Sequence, residues 1–125
     1  MKNKKYDICC VLLGIIFISF GLNGFFDFFK IPTTPRGDFF LGYLKANDWI
    51  YPMIKSVEAA AGLMLLTRSY VPLAAILLAP ILANIMAFHI CLDLVGLPFA
   101  ILLVAFYLYV VYCHRDLFKK FMQRN

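Results

Sequence analysis

The chain has 125 residues, 63% hydrophobic and only 15% charged, with a mean hydropathy of +0.83. Soluble domains carry about a quarter charged residues, so this composition excludes a water-soluble domain and points to a small polytopic membrane protein. The formal charge of +5, from 12 Lys and Arg against 7 Asp and Glu, would also suit a nucleic-acid partner. The basic clusters are short and flank apolar runs, however, so contact with the lipid bilayer accounts for them and no nucleic-acid partner is expected.

A hydrocarbon core of about 30 Å takes roughly 20 apolar residues per helix. The chain has room for four such passes, on apolar stretches at about residues 8–29, 50–66, 71–92 and 97–112. The first follows Lys2, Lys4 and Lys5 and imitates a secretory signal. It has no A-x-A cleavage pattern and is expected to remain as an uncleaved first span. The next segment holds Pro32, Pro35 and Gly37, which should break the first helix. After them, Phe39, Phe40, Tyr43 and Leu44 interleave with Asp38, Lys45 and Asp48, which predicts an interfacial helix over 38–48, serving as an amphipathic loop on the headgroups or as a lid over a cavity.

Asn47 or Asp48 can cap the second span, and Pro52 is tolerated in its first turn. Short connections at 67–72 and 93–98 make neighbouring helices antiparallel. Residues 1–125 are thus expected to form one all-α domain, a four-helix transmembrane bundle running up, down, up, down. Lys2, Lys4, Lys5, Arg68, Arg115, Lys119, Lys120 and Arg124 fall on one side, against Lys30, Arg36 and Lys45 on the other. The positive-inside rule then places both termini in the cytoplasm. Gly14, Gly21 and Gly24 in the first span, with Ala59, Ala60, Ala61 and Gly62 in the second, predict seams of close backbone approach. Pro80 should bend the third span.

Ionisable and amide side chains inside such spans are costly unless paired or hydrated, so each is a candidate for function. At 1.5 Å of rise per residue, Asn23 and Asp27 fall in the outer half of the first span, Lys55 and Glu58 near the middle of the second, and Asn84 near the middle of the third. His89 lies further out and Asp93 at the outer surface. Lys55 and Glu58, three apart, predict a buried ion pair, while Asn23 with Asp27 and His89 with Asp93 are spaced to share helix faces. Two readings stay open: polar glue between helices, with Asn84 and Glu58 bonding across the bundle, or a small binding or proton-handling pocket in the outer half of the bilayer. The ligand-binding candidates are Asn23, Lys55, Glu58, Asn84 and His89, with Asp27 and Asp93 at the outer mouth.

Several chemistries are disfavoured. His89 and His114 lie toward opposite faces, which argues against a two-histidine metal or haem site. Cys91 lies across the membrane from Cys9, Cys10 and Cys113, so no disulfide framework is expected, and no Cys-x-x-Cys pair is present. No Gly-rich phosphate loop or nucleophile elbow occurs. The expectation is therefore no catalytic residue set, no metal and no resident cofactor, with a quinone or a small amphiphile as the ligand class that such a pocket suits.

Several segments resemble the DoxX family of small bacterial four-helix membrane proteins. They are Gly21-Leu22-Asn23-Gly24-Phe25-Phe26, Lys55-x-x-Glu58-x-x-x-Gly62-Leu63-x-Leu65-Leu66, Pro72-Leu73-Ala74-Ala75, Leu78-Ala79-Pro80-Ile81-Leu82-Ala83-Asn84-Ile85-x-x-Phe88-His89 and Gly96-Leu97-Pro98. The resemblance runs from about residue 8 to 118. It implies a protein of the bacterial inner membrane, an accessory subunit in membrane redox physiology, and a membrane oxidoreductase as partner. The paired cysteines of redox-active relatives are missing here. A carrier for a small amphiphile or lipid is the competing expectation.

Overall fold

The computed structural model describes residues 3–123; Lys2 and Arg124, two of the cations counted above, lie outside them. The elements are α1 (Lys4–Phe26), α2 (Pro35–Lys45), α3 (Ile50–Thr67), α4 (Val71–Cys91), a 3-10 turn (Leu94–Gly96), α5 (Leu97–Cys113) and α6 (Arg115–Met122), with no strand among the described residues. Four helices are long and apolar enough to cross a membrane: α1, α3, α4, and α5 together with the turn before it. On length and composition the chain is a multi-pass membrane protein.

Local hydrogen bonding moves several boundaries. Asn3 Oδ1 accepts from the Tyr6 N–H at 2.9 Å, an N-cap that starts α1 at Lys4 rather than at residue 8. The helix ends at Asp27, whose backbone is left-handed (φ 51, ψ 51) and whose N–H donates to the Asn23 carbonyl. Asn23 Oδ1 in turn accepts from the Phe29 N–H at 2.9 Å. The first span therefore stops before residue 29, and the prolines downstream do not break it. Pro35 and Gly37 instead open α2: the Thr34 hydroxyl accepts from the Gly37 N–H at 3.1 Å, and Pro35 occupies the first turn, where its missing N–H costs nothing. The interfacial segment is thus a helix from Pro35 to Lys45. Asn47 Oδ1 accepts from Trp49 and Ile50 N–H at 3.2 and 3.0 Å and opens α3.

The buried residues of each helix recur at intervals of three and four, the spacing of one helix face. They are Tyr6, Cys10, Leu13, Gly14, Phe17 and Gly21 on α1, Glu58, Ala61, Gly62 and Leu65 on α3, Val71, Ala74, Ala75, Leu78 and Leu82 on α4, and Ala100, Leu103 and Val110 on α5. The most extensive packing is α1 against α3. A Cβ added to Gly14 would meet Leu66 N at 2.7 Å and Gly62 O at 2.8 Å; one on Gly62 would meet Ile18 N at 2.7 Å; one on Gly21 would meet Ala59 N at 2.7 Å. Backbone thus rests on backbone along the seam, as small residues allow where lipid offers no hydrophobic drive. Ala60 is exposed and stands off this seam.

Partner numbers on α3 fall as those on α1 rise, so the two helices are antiparallel. α5 is antiparallel to α1 as well: the Tyr6 and His114 rings meet at one end and those of Phe20 and Phe99 at the other. The Tyr107 hydroxyl donates to the Ala75 carbonyl at 2.7 Å and ties α5 to α4. Between α3 and α4 the chain reverses over three residues, two of them left-handed, Arg68 (φ 55) and Tyr70 (φ 57). One end of the bundle thereby gathers the start of α1, the α3–α4 reversal and the end of α5, and an ion pair joins Arg68 Nε to Asp7 Oδ1 at 3.6 Å.

The seam sets a test. Gly62→Ala should force α1 and α3 apart at a cost of about 1–3 kcal/mol and lower the thermal midpoint in detergent. Gly42→Ala in α2, where nothing lies within 4 Å of the new Cβ, should raise it or leave it unchanged, since alanine is favoured over glycine in a helix by up to about 1 kcal/mol.

Candidate functional site

Glu58 belongs to the buried stripe of α3 and is only 4% exposed. One turn away on the same helix, Lys55 Nζ donates to Glu58 Oε1 at 3.2 Å, and the two form an ion pair. The Lys55 stem lies across Gly24 of α1, whose missing side chain leaves room for its Cγ and Cδ. The Lys55 ammonium also sits 5.4 Å from the Tyr51 ring centroid, and Lys45 of α2 approaches the same ring at 5.9 Å. The adjacent ammonium offsets part of the cost of burying the carboxylate, and the aromatic face stabilises that ammonium in turn. The pair can hold, donate or accept a proton, and Lys55 can offer further N–H donors to a ligand.

The second polar group lies at the far end of α4. His89 Nδ1 is 3.2 Å from Asp93 Oδ2 and 3.1 Å from the Asp93 carbonyl oxygen. Gly96, in the following turn, leaves the space that the imidazole occupies. Asp93, just past the end of α4, is 1% exposed. Its burial follows from α2. The Thr34 N–H donates to Asp93 Oδ1 at 3.2 Å, and the Thr34 hydroxyl donates to the Leu92 carbonyl at 2.5 Å. Phe40 and Phe88 meet ring to ring at 5.7 Å beside this contact. The α2 segment is thus latched over the end of α4. Asp93 Oδ2 accepts no hydrogen bond from the described residues, and the imidazole beside it is its electrostatic counterpart.

The other candidates go elsewhere. Asn84 is exposed, on the outer surface of the bundle, and its Nδ2 donates to the Pro80 carbonyl of its own helix at 2.8 Å. It does not bond to Glu58 across the bundle. Asn84 and His89 share a helix, but five residues at 100° each put them about 140° apart in azimuth. Asn23 is occupied with the Phe29 N–H at the end of α1. Asp27 is the residue at which α1 stops, exposed and within electrostatic reach of Tyr51. None of the hydrogen bonds and ion pairs among the described residues joins the Lys55–Glu58 pair to the His89–Asp93 pair. The single cluster expected from depth is two separate pairs, Lys55–Glu58 and His89–Asp93.

Two contributors carry little signal in the sequence. Thr34 looks like an ordinary loop threonine before a proline, although Thr-Pro is itself a helix-start signature. Tyr51 becomes relevant only once its ring is seen between two ammonium groups. At the opposite end of the bundle the Tyr6 hydroxyl and His114 Nε2 lie 2.8 Å apart, next to buried Cys10 and half-buried Cys113. Comparison with known proteins returns no match to a family model, a curated protein or a solved structure.

Removing one member of a buried pair strands the other. Lys55→Met should destabilise the fold by about 3 kcal/mol, and Lys55→Met with Glu58→Met by less than that single change, as measured by denaturation in detergent micelles. Thr34→Val removes the cap and the hydroxyl half of the latch and leaves the backbone N–H to Asp93. It should cost about 1–2 kcal/mol locally and appear in hydrogen exchange as lost protection across α2, with α1 and α3 unchanged.

Proposed function

We propose that this chain is a DoxX-like protein of the bacterial cytoplasmic membrane that serves membrane redox physiology as an accessory subunit, with both termini in the cytoplasm. The Lys55–Glu58 pair carries this reading. Helix packing alone does not call for a charged pair in a glycine-lined seam, and one inside a span costs free energy that apolar residues would not, so its presence supports a role that apolar residues cannot fill. A quinone headgroup is the ligand class such a pair suits: the ammonium donates to a quinone carbonyl, and the carboxylate supplies a site through which a proton reaches the reduced ring oxygen. In this proposal the electrons come from a partner oxidoreductase, which is why the role is accessory. His89 and Asp93 form the outer proton-holding pair.

The orientation rests on the distribution of cations. Lys4, Lys5, Arg68, Arg115, Lys119 and Lys120 flank one end of the bundle, and Lys30, Arg36 and Lys45 lie in the connection at the other. The richer end is taken as cytoplasmic by the positive-inside rule.

A carrier or binding protein for a small amphiphile is the second reading, and a groove favours it. Pro35, Arg36, Phe39, Phe40, Tyr43 and Leu92 line a cleft of about 660 Å³ beside α2, apolar along its length.

Native mass spectrometry of the protein in mild detergent, with extraction of bound molecules, separates the readings. A stoichiometric quinone that disappears in a folded Glu58→Gln variant is the expected result. A retained lipid that is lost in Phe40→Ala and kept in Glu58→Gln would replace the redox reading with the carrier. Wild-type protein that is reproducibly empty would sink both.

A further inference from the structure

The C-terminal helix α6 sorts its residues into two faces. At 100° per residue, Leu117, Phe118, Phe121 and Met122 occupy one arc, and Arg115, Asp116, Lys119 and Lys120 the other. No residue of α6 is buried, and Phe121 and Met122 stand 63% and 85% exposed. The helix follows α5 after a single residue, His114. It therefore starts where a candidate membrane span ends, the depth at which an amphipathic helix lies along the headgroups.

A groove of about 460 Å³ runs along the boundary between the two arcs, lined by Val111 and Tyr112 of α5, by Arg115, Phe118, Lys119 and Met122 of α6, and by Gln123. Its two cations are set at one edge. The Arg115 guanidinium carbon stacks 4.2 Å from the Tyr112 ring centroid, and its Nη1 donates to the Tyr112 carbonyl at 3.0 Å. That leaves four of the five guanidinium N–H donors for a ligand in a fixed orientation. The floor is apolar. Phosphate-binding cations beside an apolar trough, at the end of a membrane span, are complementary to one kind of molecule.

We propose that this groove is a binding site for an anionic phospholipid of the membrane, with the headgroup phosphate on Arg115 and Lys119 and an acyl chain along Val111, Phe118 and Met122. Charge complementarity selects an anionic lipid over a zwitterionic one, since α6 carries three cations against one acid, Asp116. Lys120 lies outside the groove lining and supplies only diffuse attraction. The site is independent of the charged pairs in the bundle.

The test uses the full chain in nanodiscs of phosphatidylcholine containing phosphatidylglycerol, with retained lipid counted by native mass spectrometry after transfer to mild detergent. Wild type should keep phosphatidylglycerol in preference to phosphatidylcholine. Arg115→Gln and Lys119→Gln should each weaken that preference about tenfold, and the double variant about 100-fold, from the loss of one charge-assisted hydrogen bond to the phosphate apiece. Lys120→Gln should change it at most slightly. Equal losses for Lys120→Gln and Lys119→Gln would reduce the effect to general surface charge and overturn the site, as would wild-type protein with no preference between the lipids. Unchanged far-UV circular dichroism in all variants keeps a folding defect from imitating either result.

Discussion

The close approach of α1 and α3 is the constraint on which the rest of the bundle depends. Gly14, Gly21 and Gly62 allow backbone to rest on backbone, and this proximity fixes what the adjoining side chains meet. Lys55 lays its stem over Gly24 because no Cβ stands there. That direction brings its ammonium to Glu58, which the same face of α3 turns inward. The charged pair and the glycine seam are thus one arrangement: a wider spacing would admit lipid tails and leave the carboxylate in hydrocarbon with a partner free to swing away.

The two ends of the bundle differ in kind. At one, α2 folds over the end of α4, and Thr34 latches Asp93 and Leu92, so backbone groups freed by the α4–α5 turn are satisfied by another segment. At the other, α6 leaves Leu117, Phe121 and Met122 exposed, and its start is held by Arg115 on Tyr112. The covered end holds its titratable pair out of water. The open end presents cations and aromatic rings to its surroundings.

The four spans were legible because predominantly apolar runs of this length have few alternatives, and the Lys55–Glu58 pair was legible because a spacing of three puts both side chains on one helix face. The grouping of the polar residues was not. Ordering them by depth places Asn84 beside Glu58, whereas azimuth decides which side of the helix each one faces, and Asn84 faces outward to bond its own Pro80 carbonyl. The burial of Asp93 could not be seen either, since it depends on where a distant segment folds. The end of α1 was misplaced for a local reason: Asn23 and Asp27 terminate the helix through a side-chain acceptor and a left-handed backbone, a device weaker in the sequence than the prolines that follow. The apolar run Leu117, Phe118, Phe121 and Met122 among cations could have announced α6, but the cations drew attention to orientation instead.

The short reversal at Arg68 and Tyr70 has a consequence for biogenesis. With three residues between them, α3 and α4 leave the ribosome nearly together and can enter the membrane as a hairpin. α1 has no such companion. Its main packing partner, α3, ends at residue 67, 41 residues after α1 ends at residue 26 (67 − 26), a delay of about 2 to 8 s at typical rates of synthesis. During that interval the glycine face of α1 is covered only by lipid or by whatever insertion machinery holds it. The tightest contact in the finished protein is therefore among the later ones to form, and a slowed or stalled ribosome in this stretch would leave a first helix open to mispairing with any other small-residue face in the membrane.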